Sequence, residues 1–112
     1  MCTNETSAPT LPKAHILPQP IPPSTPSLLS PTNGDTISSG VTLRWTAEST
    51  ATRYELWVAF RDTANFGGPV STDSTYYFYN FPNAMDFYWK VRAINGAGSS
   101  SFTTVWKFTT YP

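Results

Sequence analysis

The 112 residues carry 7 basic and 7 acidic side chains and no net formal charge. That balance supplies no basic surface for holding nucleic acid or an anionic membrane by charge. Cys2 is the only cysteine, which excludes an intrachain disulfide, and no apolar run approaches the roughly 20 residues of a spanning helix.

Residues 1–25 read as a disordered Pro/Thr-rich tether. Pro9, Pro12, Pro18, Pro20, Pro22 and Pro23 remove backbone donors and favour an extended polyproline conformation over helix or sheet. Cys2 followed by Thr3-Asn4-Glu5-Thr6-Ser7 resembles the start of a mature bacterial lipoprotein. Cys2 is therefore a candidate lipid attachment site, against the alternative that it is incidental. Asn4-Glu5-Thr6 also fits an N-glycosylation sequon.

From Pro26 onward, strand and turn signals alternate. Ser27–Ser30 is a short strand closed by Pro31, and Asn33-Gly34-Asp35 is a turn. Val41–Thr46 alternates with Val41, Leu43 and Trp45 facing inward. Arg53–Arg61 alternates with Tyr54, Leu56, Val58 and Phe60 inward. Gly67-Gly68-Pro69 interrupts the chain and marks an edge strand near Gly67–Ser71, and a strand over Thr75–Asn80 follows. With Tyr76 and Phe78 packed inward, Tyr77 and Tyr79 would face out.

In Asp86–Gly98, Phe87, Trp89, Val91 and Ala93 share one face while Tyr88, Lys90 and Arg92 share the other, before an Asn95-Gly96 turn. Thr103–Thr110 closes the chain with Trp106 and Phe108 on one face. No stretch sustains helical periodicity, so the fold class is all-β with about seven strands.

With these elements in place, residues 26–112 resemble a fibronectin type III domain of the bacterial extracellular type. The resemblance is carried by Ser30-Pro31-Thr32-Asn33-Gly34, Leu43-Arg44-Trp45 and Tyr54-Glu55-Leu56. It continues through Tyr88-Trp89-Lys90-Val91-Arg92-Ala93-Ile94-Asn95-Gly96-Ala97-Gly98 and Trp106-Lys107-Phe108-Thr109-Thr110. It implies a seven-stranded, two-sheet Greek-key sandwich with Trp45 in the core. One position departs from the pattern. Where the family usually has a tyrosine whose hydroxyl ties down the preceding corner, this chain has Phe87. The corner is then fastened by packing of Phe81 and Phe87, or the strand carries a bulge.

Catalysis is not expected, and no cofactor or metal is implied. His15 and Cys2 lie in the tether, and the carboxylates Asp35, Glu48, Glu55, Asp62, Asp73 and Asp86 are scattered over different turns and strands. The candidate binding face is Trp57, Tyr88, Lys90 and Arg92, the outward side of two strands that neighbour each other in this fold family. An outward Trp beside polar groups suits a protein interface or a sugar ring. The plainer alternative is that Lys90 or Arg92 covers Trp57 as a cation–π pair.

Asp35-Thr36-Ile37, Asp62-Thr63-Ala64 and Asp73-Ser74-Thr75 resemble a short O-glycosylation pattern of bacterial surface proteins. The expected role is a monomeric, non-catalytic spacer or protein-interaction module of a bacterial surface or secreted protein. A glycan-binding accessory module is the alternative. Neither reading involves nucleic acid, and a membrane enters only through Cys2.

Overall fold

The computed structural model describes residues 20–112, so Cys2, His15, the Asn4 sequon and most of the expected tether lie outside the described residues. The architecture is two antiparallel-dominated sheets packed face to face. Nine strands run in chain order: β1 (Leu28–Ser30), β2 (Asp35–Ile37), β3 (Gly40–Trp45), β4 (Arg53–Phe60), β5 (Gly67–Thr72), β6 (Tyr76–Asn80), β7 (Asp86–Asn95), β8 (Gly98–Ser99) and β9 (Trp106–Thr110). The two beyond the expected seven are short. β2 runs parallel to β9, and β8 folds back on the end of β7.

One sheet has the order β1-β3-β6, and the other β2-β9-β7-β4-β5 with β8 beside β7. The core lies between them. β3 contributes Val41, Leu43 and Trp45, β4 Tyr54 and Leu56, β7 Phe87, Trp89, Val91 and Ala93, and β9 Phe108, all buried. Every one of these lies on the face its alternation assigns. Trp45 stands edge-on to Tyr54 at 6.0 Å between ring centroids, and Trp89 edge-on to Trp106 at 6.4 Å. The indole N–H groups of Trp45 and Trp89 are buried and meet no acceptor among the described residues. Both indoles pack against other aromatic rings, Trp45 against Tyr54 and Trp89, and Trp89 also against Trp106.

Two inward expectations change. Phe60 pairs with Phe87 and so lies on the core face, yet it is largely exposed, because the opposing sheet stops short of it. On β6 the parity is the reverse of the expected one. Tyr77 pairs with Leu43 and Tyr79 with Val41, which turns these two toward the core and Tyr76 and Phe78 outward. Pairing with β3 decides the face, because aromatic residues at four successive positions leave no alternation to read.

The corner before β7 is tied by a residue far along the chain. β7 pairs regularly with both β4 and β9 through Phe87, so no bulge is present there. Phe87 packs on Phe81 at 4.8 Å and stacks on Phe108 at 5.3 Å. The polar anchor is Thr110 on β9. Its Oγ1 accepts from the Met85 N–H at 3.1 Å and donates to the Pro82 carbonyl at 2.7 Å.

Residues ahead of β1 also touch the sandwich. Pro23 is buried, and the Asn95 side-chain amide donates to the Ile21 carbonyl at 2.9 Å. On β5, between the Leu56–Val70 and Val58–Gly67 pairs, the ladder shifts by a residue. Gly68 sits in that bulge at φ +139°, where an added Cβ would stand 3.0 Å from the Leu56 carbonyl oxygen. Only glycine fits there without strain.

Candidate functional site

Two surfaces compete for the role. The first is the outer face of the larger sheet, where the sequence places Trp57, Tyr88, Lys90 and Arg92. Antiparallel pairing sets Glu55 opposite Arg92, Trp57 opposite Lys90 and Ala59 opposite Tyr88, so the four named residues do share one face.

That face is covered rather than open. Phe66, from the segment after β4, and Phe102, from the segment after β8, fold over it. Lys90 Nζ lies 4.4 Å from the Phe66 ring centroid and 4.3 Å from that of Phe102. The Arg92 guanidinium lies 4.7 Å from the Phe102 centroid, and Trp57 meets the same ring edge-to-face at 6.2 Å. Arg92 also holds Glu55, with Nε and NH2 at 2.9 and 2.8 Å from a single carboxylate oxygen. Trp57 is half-buried, and its indole N–H is enclosed without an acceptor among the described residues.

The cations therefore cover phenylalanines, where a pair with Trp57 was the plainer expectation. Phe66 and Phe102 went unremarked in the sequence, although each is a lone aromatic in a polar connection, which is the available signal. Replacing Phe102 removes two cation–π contacts and one aromatic pair. Each is worth roughly 0.5–1 kcal/mol at a part-exposed site. Phe102→Ala should thus lower stability by about 1.5–3 kcal/mol in urea unfolding, with red-shifted tryptophan emission as Trp57 is wetted. Unchanged emission would mean that Phe102 does not shield Trp57.

The second surface is a lateral cleft between β5 and β6, absent from the sequence reading. Val58, Phe60, Gly67, Gly68, Val70, Tyr79, Phe81, Pro82, Met85 and Phe87 line a cavity of about 370 Å³. A smaller one of about 160 Å³, sharing Val58, Val70, Tyr79 and Phe81 and reaching Leu56 and Tyr77, continues it. The lining carries no ionisable group apart from tyrosine phenols.

Two exposed aromatics line this opening, Phe60 at 60% and Tyr79 at 49%, while Tyr76 at 53% and Phe78 at 56% lie on the outer face of β6. Two non-glycine residues in the left-handed region flank its mouth, Arg61 at φ 76° after Phe60 and Ala84 at φ 57° before Met85. Both are pinned by backbone bonds, Arg61 N–H to the Asp86 carbonyl and Ala84 N–H to the Tyr111 carbonyl. Such conformations cost energy and persist only where surrounding structure imposes them.

Comparison with solved structures identifies the architecture. The sixth fibronectin type III domain of human fibronectin type III domain containing protein 3 is similar at 16% identity and TM-score 0.62, over 86% of this chain and 90% of that one. A Fn3-like protein from Clostridium thermocellum is similar at 14% identity and TM-score 0.61, over 80% and 95%. A β-1,2-glucanase from Parabacteroides distasonis is similar at 21% identity and TM-score 0.65, over 91% of this chain but only 14% of that chain. No protein-family model and no curated protein matches the sequence. At these identities the likeness is one of fold.

Proposed function

We propose that this chain, a sandwich of the fibronectin type III fold, is a non-catalytic extracellular spacer or protein-interaction module of a bacterial surface or secreted protein, acting as a monomer. The observation that carries the reading is the fold itself. It matches nearly the whole of some small domains, and also a 14% share of a glucanase chain many times its mass. An apolar cleft whose only ionisable groups are tyrosine phenols supports a binding role over a chemical one.

Cys2 is proposed as the lipid anchor that would hold the module at the bacterial surface. Labelling the natural gene product with a fatty-acid analogue tests this directly. A label on Cys2 is expected, and its absence would end the anchor proposal.

The glycan-binding alternative would need an open aromatic platform at Trp57 and Tyr88. Phe102 stands against Trp57 and restricts that platform. Titration with plant, host and bacterial polysaccharides, followed by tryptophan fluorescence, should therefore give no saturable change. Saturable quenching that disappears in Trp57→Ala would replace the spacer and protein-interaction reading with the glycan-binding one.

A further inference from the structure

The two sheets are unequal in width. Five strands lie in a row in one and three in the other, so β5 projects past β6. Among the described residues, the position beside β6 that would face β5 holds no strand. The lateral cleft is that position.

β6 offers an edge prepared for pairing. Trp45 N–H donates to the Thr75 carbonyl at 3.0 Å, and Phe81 N–H to the Ser39 carbonyl at 2.8 Å. Antiparallel alternation between these two bonds turns the backbone groups of Tyr77 and Tyr79 toward β3. It turns the N–H and C=O of Tyr76, Phe78 and Asn80 outward. β6 has no charged residue, no proline and no register shift, the devices that normally blunt an exposed edge. β5, across the cleft, is blunted by Pro69 and the Gly68 bulge.

We propose that an extended, apolar peptide segment of a partner protein adds to β6 as a fourth strand of the smaller sheet. Its inward side chains at alternate positions, ~6.8 Å apart along the strand, enter the two joined cavities in turn. This inference rests on the interaction-module reading and names the partner's chemistry.

Area argues against a second copy of the chain as occupant. Phe60, Tyr76, Phe78 and Tyr79 are each about half exposed, which amounts to roughly 400 Å² of aromatic surface. A stable protein interface needs about 800 Å² from each partner. Strand addition draws its affinity from backbone hydrogen bonds and needs less side-chain area.

The test is NMR titration of the ¹⁵N-labelled full chain with three capped peptides. Each alternates Thr with Val, Leu or Phe and carries Lys at both ends. Saturable amide shifts confined to β5, β6, Phe60 and Met85 are expected with at least one peptide. Methylation of alternate peptide nitrogens should abolish them. Phe78→Pro removes an outward donor while sparing the bonds to β3, and should weaken binding at least tenfold. Phe60→Ser, at an exposed rim position, should also weaken it, and amide dispersion in each variant reports folding.

Shifts that survive methylation, shifts on the Trp57–Phe102 face, or no shifts with any peptide would each overturn strand addition and leave the interaction-module reading in place. Concentration-dependent dimerisation through β6 would overturn it by assigning the edge to a second copy. The interaction-module reading itself falls only to the polysaccharide result described above.

Discussion

Trp89→Ala is expected to lower the unfolding free energy by about 3–5 kcal/mol, the largest effect of any single change considered. Trp89 is fully buried at the centre of β7, between β4 and β9, with Trp45 6.5 Å away on one side and Trp106 6.4 Å away on the other. Truncation leaves a void shared by both sheets, and a close-packed interior collapses into such a void only in part. Against a total stability of ~5–15 kcal/mol, the loss corresponds to a fall of roughly 12 °C or more in Tm for a domain of this size.

Trp89→Phe should cost much less. It keeps most of the ring volume and removes an indole N–H that meets no acceptor among the described residues. Urea unfolding of the two variants side by side is the measurement. Equal losses would mean that the indole N–H, rather than ring volume, holds the core together.

Thr110→Val should cost about 1–3 kcal/mol, while Thr110→Ser should cost less than 1 kcal/mol through loss of one methyl. Thr110 is 1% exposed, and its hydroxyl is wedged between the Met85 N–H and the Pro82 carbonyl. Valine preserves the shape but strips both backbone groups of their partner. The corner between β6 and β7 should then open locally, which hydrogen exchange would read as faster exchange at Met85. Unaltered Met85 exchange in Thr110→Val would show that phenylalanine packing alone fastens this corner.

Much of the fold could be read from residue pattern, and the reasons for the exceptions are physical. β3 and β7 were legible because one face is apolar and the other polar, so alternation carried the register. β6 was illegible because Tyr76, Tyr77, Phe78 and Tyr79 are all aromatic. Its face was set by β3, more than thirty residues earlier in the chain.

Phe60 obeys its parity but lies beyond the rim of the opposing sheet, and strand alternation holds no information on where that rim falls. The candidate face was legible as a set of residues sharing a side. Its cover was not, since Phe66 and Phe102 reach it from separate connections. The Thr110 tie was equally hidden: a threonine at the end of a closing strand looks like any other until the corner it fastens is in place.

The parallel pairing of β2 with β9, Asp35 opposite Phe108 through Ile37 opposite Thr110, has a mechanical consequence. Tension entering the domain ahead of β2 and leaving it after β9 draws the two strands lengthwise in opposite directions. Their mutual hydrogen bonds are then loaded in shear and share the force, where an antiparallel pair pulled from one end would unzip a bond at a time. A domain pulled through these two ends would therefore be latched along the line of pull by a strand only three residues long.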